Sequence, residues 1–275
     1  LLGSFKKQMA FLEVNYYSRV LGMNRVMNVL LPEESDHNPN WTNDSLKDLP
    51  VLYLLHGMSG NHFDWQRKSD IERLLRQTKL AVIMPAADLA WYTNTDYGMN
   101  YFDAISQELP RKVASLFPQI STKRKKHFVA GMSMGGYGAF KLAFSSSYFS
   151  YAASLSGTLI SSLNYPGFLD MEKQAYWKGI FGDLDKFSGS KNDIFELAKR
   201  QSNTGIELPK LYAWVGQQDF FYGANEKAIP RLRKMGYDVS YETNPGDHEW
   251  YYWSKYIENI LQWLPINYQA EKRLS

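Results

Sequence analysis

A chain of 275 residues with 31 basic and 28 acidic side chains carries a net charge of +3, which offers no electrostatic case for a nucleic-acid or membrane partner. Cysteine is absent, and this removes disulfides, thiol nucleophiles and cysteine-based zinc sites together. Hydrophobic residues at 44% and charged residues at 21% suit a globular protein, and aromatics at 15% call for a filled core and aromatic-lined pockets.

The opening "LLGSFKKQMAF" lacks a charged region followed by a long apolar core, so no signal peptide is read there. Met9 reads as the natural start, with residues 1–8 foreign to the natural chain. No apolar run reaches the roughly 18–20 residues of a membrane span, and the expected location is cytoplasmic.

Runs near residues 11–16 and 26–31 flank "SRVLGMN" and predict an antiparallel hairpin at a sheet edge. The polar stretch 33–50 reads as a surface loop. Buried strands are predicted at 51–56 and 81–85, with a helix over 65–77 between them and another over 101–117 after them. The basic run "STKRKKH" (121–127) reads as a solvated turn. A strand at 128–130, a helix over 136–145 and a strand at 152–155 follow. Residues 157–208 show little periodicity and are expected to form an insertion or cap within a single domain spanning 1–275. Strands at 211–215 and 239–241 then alternate with helices over 225–235 and 250–264. This alternation predicts an α/β fold whose mostly parallel sheet is covered on both faces.

The stretch "HFVAGMSMGGYGAF" (127–140) holds Gly131-Met-Ser133-Met-Gly135, a G-x-S-x-G pattern with a strand-like run before it and a helix-like run after it. In an α/β-hydrolase this is the nucleophile elbow, a tight turn that exposes the serine hydroxyl at the carboxyl edge of the sheet. A serine hydroxyl needs a base, and in this fold the acid and then the histidine follow the serine. Of the histidines at 37, 56, 62, 127 and 248, only His248 follows Ser133. Among the intervening aspartates at 170, 183, 185, 193, 219, 238 and 247, Asp219 stands just past the strand-like "KLYAWVG". Asp247 adjoins His248 in sequence and is badly placed to hold its ring.

Two backbone donors are expected for the oxyanion. One is the N–H of Met134 at the start of the helix, and the other is that of Met58 in "VLYLLHGMSGN". His56 is expected to buttress that loop. His56 and His62 match no common zinc spacing, so no metal site is expected. "DLAWYTNTDYGMNYFD" (88–103) should reach the same edge, where Trp91, Tyr92 and Tyr97 either line a pocket or pin a loop; Trp250 carries the same two readings.

Taken together, "LLHGMSGN", "GMSMGGYGAFKLA", "GQQDFFY" and "GDHEWYYW" resemble the esterase D-like α/β-hydrolases, and among them the bacterial tributyrin esterases. The likeness covers nearly the whole chain. It implies a Ser133–His248–Asp219 triad, oxyanion donors at Met58 and Met134, small ester substrates with short acyl groups and no cofactor. Relatives in this group release acetyl or feruloyl groups from plant polysaccharides. The S-formylglutathione hydrolases of the same group usually carry a cysteine beside the oxyanion loop, where this chain reads Met58-Ser59-Gly60. That departure weakens a thioesterase reading. An acyltransferase on the same scaffold and a catalytically silent binding module stay open beside it, and nothing in the sequence excludes a homo-oligomer.

Overall fold

The computed structural model describes residues 9–34, 41–42 and 44–270. The expectation for residues 1–8 and part of the 33–50 loop lie outside them. Eight strands form one sheet: β1 (Met9–Ser18), β2 (Met23–Pro32), β3 (Val51–Leu55), β4 (Ala81–Pro85), β5 (His127–Met132), β6 (Tyr151–Leu155), β7 (Lys210–Gly216) and β8 (Val239–Asn244). Their spatial order is β1-β2-β4-β3-β5-β6-β7-β8. The β1–β2 pair is the expected antiparallel hairpin, β2 also pairs antiparallel with β4, and every later pairing is parallel.

The pleat explains why the parallel strands read as unbroken apolar runs. Val51, Tyr53 and Leu55 enter one core, while Leu52 and Leu54 enter the other. Phe128 and Ala130 likewise face away from Val129, and Tyr212 and Trp214 away from Leu211 and Ala213. A strand buried on both faces has no polar face to show.

The helices are α1 (Asp64–Lys68), α2 (Ile71–Leu75), α3 (Tyr101–Asp103), α4 (Leu109–Leu116), α5 (Met134–Ser145), α6 (Gln174–Phe181), α7 (Ile194–Ser202), α8 (Tyr222–Lys234) and α9 (Trp250–Trp263). Side chains of α4, α5, α7 and α8 fill the first core, and those of α1, α2 and α9 the second. Among the described residues no helix is long and apolar enough to cross a membrane.

Two sequence expectations are corrected. The helix over 65–77 is two short helices, because Ser69 is extended at φ −136° between α1 and α2. The helix over 101–117 contains a π turn at Ala104–Glu108 between α3 and α4, where the Leu109 N–H donates to the Ala104 carbonyl. Pro110 follows at once; it has no N–H to give and its ring would clash with the carbonyl four residues back, which a widened turn relieves. Within the weakly patterned stretch 157–208 lie two ordered helices, α6 and α7. Asp193 caps α7 by accepting from the N–H groups of Phe195 and Glu196.

The strand order puts β3 and β5 side by side, with the chain leaving β3 toward one edge and β5 toward the other. A crevice opens beyond their carboxyl ends, the usual ligand position in an open α/β sheet.

Candidate active site

Ser133 sits at that crevice, between the end of β5 and the start of α5. Its backbone is forced to φ 54°, ψ −119°, a region that side chains rarely adopt. The flanking glycines show why. A Cβ on Gly131 would come within 2.4 Å of Gly135, and one on Gly135 within 2.5 Å of the Leu55 carbonyl oxygen. The elbow therefore presses backbone against backbone, and neither position has room for a methyl group. The Ser133 N–H donates to the Leu155 carbonyl at 3.0 Å, which ties the strained residue to β6.

His248 Nε2 lies 3.0 Å from Ser133 Oγ, and His248 Nδ1 lies 2.9 Å from Asp219 Oδ2. With a carboxylate on Nδ1, that nitrogen carries the proton and Nε2 is left to accept from the serine hydroxyl. The Asp219 side chain is fully buried, and its second oxygen accepts from the Phe221 N–H at 2.8 Å. Asp247 accepts from the backbone N–H of His248 at 2.8 Å and leaves the imidazole to Asp219. Asp193 is a helix cap, and Asp183 accepts from the N–H of Asp185.

One contributor lies beyond the sequence reading. The Gln218 N–H donates to the Gly246 carbonyl at 2.9 Å, while the Gly246 N–H donates to Gln218 Oε1 at 2.8 Å. This reciprocal pair locks the turn bearing Asp219 to the loop bearing His248. The second glutamine of "GQQD" is its only signal.

Met134 opens α5, so its N–H is one of the helix's unpaired first-turn donors. The Met58 N–H has no hydrogen-bond partner among the described residues. His56 stands beneath this loop with both ring nitrogens occupied. Nδ1 donates to the Gly57 carbonyl at 2.7 Å, and Nε2 accepts from the Ala87 N–H at 2.9 Å. Burial pushes its pKa down, partly offset by the Gly57 bond. A neutral imidazole in this tautomer braces the loop, as expected. Among the described residues no cluster of acids and histidines could hold a metal ion.

A pocket of about 670 Å³ contains Ser133 and His248, with walls that include Met58, Met171, Phe220 and Trp250. Trp250 thus lies on the wall. Trp91, Tyr92 and Tyr97 do not, and their pocket reading is corrected. Trp91 is fully buried against Trp177 and Phe168. Tyr92 is buried with its hydroxyl donating to the His56 carbonyl at 2.9 Å. Tyr97 is exposed to solvent, and its N–H donates to the Gly179 carbonyl at 3.0 Å. The first two pin the 88–100 loop from inside. Two wall residues, Met171 and Phe220, escape the sequence reading because an exposed methionine in an unpatterned stretch and one phenylalanine of a pair carry no signal of their own.

The model of the family described as "Putative esterase" matches residues 18–264. An acetyl esterase of Caldicellulosiruptor saccharolyticus is 31% identical over 264 residues, covering 93% of this chain and 98% of the relative. Two Staphylococcus aureus structures are also similar. The fluorophosphonate-binding serine hydrolase FphF matches with a TM-score of 0.83 and 33% identity over 94% of this chain and 98% of its own. The S-formylglutathione hydrolase FrmB matches with a TM-score of 0.81 and 34% identity over 93% and 98%. By sequence and by fold, this chain belongs to the "Putative esterase" family and is a carboxylic ester hydrolase of the serine type.

Proposed function

We propose that the chain is a short-chain carboxylesterase with Ser133 as nucleophile, His248 as base and Asp219 as the group that orients it. The observation that carries this reading is the continuous relay from Asp219 Oδ2 through His248 to Ser133 Oγ, at 2.9 and 3.0 Å. His248 takes the hydroxyl proton as Ser133 Oγ bonds to the ester carbonyl carbon. Asp219 stabilises the imidazolium and fixes its tautomer. The N–H groups of Met58 and Met134 receive the oxyanion, and each such donor is worth about 3–4 kcal/mol in the transition state. The carbon–oxygen bond to the alcohol then breaks, and His248 gives the alcohol its proton. Water, deprotonated by the same imidazole, attacks the acyl-enzyme and releases the acid. The groups named supply every proton transfer.

Residues 157–208 act as a cap in this reading, since Met171 and Glu172 contribute to the pocket wall. Walls that are apolar at Met58, Met171, Phe220 and Trp250 and charged at Asp64, Lys68, Glu172 and Glu249, with a volume of about 670 Å³, suit a small acyl group and a modest polar alcohol. Acetyl esters head the candidates, given the acetyl esterase relative. A thioesterase reading is favoured by the likeness to FrmB and disfavoured by Met58-Ser59-Gly60 in place of a cysteine beside the oxyanion loop.

The test is kcat/KM across acetyl, butyryl, octanoyl and feruloyl esters, with S-formylglutathione alongside. The proposal expects acetyl or butyryl esters to lead. A thioester preferred by a factor of 100 or more would replace it with the thioesterase reading.

A further inference from the structure

We propose a second binding site, separate from the catalytic pocket, that takes a small carboxylic acid with an apolar tail. A cleft of about 290 Å³ lies between the stretch 159–166 and the adjoining faces of α7 and α8, and it has no lining residue in common with the pocket around Ser133. The inference is independent of which residue is the nucleophile.

The cleft is apolar at its base and cationic at its mouth. Leu159, Ile160, Phe195, Ala224 and Ala228 line it and are buried. Lys227 and Arg231 also line it, and they are exposed one turn apart on α8, where residues four apart are surface neighbours. Neither cation has an ion pair or a hydrogen bond among the described residues. Two like charges at this spacing repel one another, and an anion between them would remove that repulsion.

The nearby acids are already engaged. Glu196 lies within the field of Arg231, but its carboxylate accepts from Arg200 at 2.8 Å. Glu226 accepts from the Tyr241 hydroxyl at 2.6 Å. The exposed Arg231 guanidinium rests over the Phe195 ring at 4.2 Å from its centroid, which holds the charge at the cleft wall. Ser161 and Asn164 add a hydroxyl and an amide at the rim.

These features select the ligand class. A carboxylate satisfies the cations, and its tail covers the buried apolar base. Inorganic phosphate would leave that base wet, and a neutral alcohol would leave the cations unpaired. The volume is at the small end of ligand pockets, which begin at about 300 Å³, so the tail is a short aliphatic or single-ring group.

The test is equilibrium dialysis of the whole chain with radiolabelled octanoate, comparing wild type with the Lys227→Gln/Arg231→Gln double variant. Both positions are exposed, and circular dichroism with the rate of p-nitrophenyl acetate hydrolysis, unchanged in the variant, verifies its fold. The expected result is saturable binding to wild type that weakens at least tenfold in the double variant. Equimolar octanol and inorganic phosphate should each fail to displace the label. Equal binding to the two proteins would overturn the proposal by assigning octanoate to another site. Displacement by octanol would show that the charges are not read, and displacement by phosphate that the apolar base is not; either result overturns the proposal.

Discussion

The elbow at Ser133 and the stretch 157–208 are held by opposite means. At the elbow, backbone meets backbone: Gly131 abuts Gly135, and Gly135 abuts the Leu55 and His56 carbonyls. In 157–208, ring meets ring. Trp177 lies 4.5 Å from Phe168 and 5.5 Å from Trp91, and Phe181 packs edge-on to Phe187 at 5.2 Å. Backbone contact fixes a position to tenths of an ångström and tolerates no added atom. Ring packing fixes a volume and tolerates exchange at a graded cost. Backbone contacts with the end of β3 therefore set the place of Ser133. The stretch 157–208 meets it only at its start, where the Thr158 N–H donates to the Ser133 carbonyl at 3.3 Å, and the ring packing farther along can be perturbed separately.

The largest expected effect lies on the first side. Asp219→Asn leaves the packing intact but removes the carboxylate that sets the His248 tautomer, so kcat on p-nitrophenyl acetate should fall by on the order of 10⁴. A drop under tenfold, or a larger loss from Asp193→Asn, would move the acid elsewhere. Gly135→Ala should come next, with a loss of more than about 4 kcal/mol in stability, because its methyl meets the Leu55 and His56 carbonyls, which cannot retreat. Urea unfolding reads this, and a well-folded Ala variant would contradict the account of the elbow.

Trp177→Ala sharpens the contrast. The indole is fully buried and donates to the Leu169 carbonyl at 3.0 Å, so its loss should cost about 3–5 kcal/mol. Activity toward p-nitrophenyl acetate below the melting transition should stay within about tenfold, since the elbow does not depend on the ring. A collapse of kcat with the fold retained would show that the two regions are coupled.

The smallest effect concerns Lys141, one face of which joins the two regions. It is buried on α5 among Thr93, Asn192, Phe102 and Tyr137, with its ammonium 2.8 Å from Asn192 Oδ1 and no carboxylate partner among the described residues. Burial drives its pKa well below that of a free lysine, with Lys191 adding to the effect. The unfolded chain keeps that proton up to about pH 10.4. Between the lowered folded pKa and that value the unfolded state binds more protons, so stability rises with pH across the window and levels off above it. Lys141→Met should remove this slope and gain about 1 kcal/mol over wild type at pH 6, with less gain at pH 10. An equal difference at the two pH values, read by thermal unfolding, would contradict a buried lysine poorly disposed to charge.

The same contrast governs what could be read from the residues alone. Glycines that backbone contact requires leave a fixed spacing around Ser133, and elimination among the histidines left only His248. Asp219 was legible because a strand-like run ends just before it. The aromatic stretch had no such mark, since Trp91 meets Phe168 and Trp177 across a long sequence separation and the three follow no period. A signal did exist for α7, where Asp193 precedes Glu196 by three residues, the spacing of a helix cap with its first-turn acid. The break at Ser69 and the π turn before Pro110 lie inside otherwise helical patterns, where backbone detail outweighs periodicity.

The central claim is that Ser133, and no other hydroxyl, is activated by His248. Labelling with a fluorophosphonate followed by peptide mass spectrometry tests it most directly. The account predicts a single adduct on Ser133, lost in Ser133→Ala and slowed at least a thousandfold in His248→Ala. An adduct on another residue, or labelling of Ser133 at the same rate without His248, would contradict it.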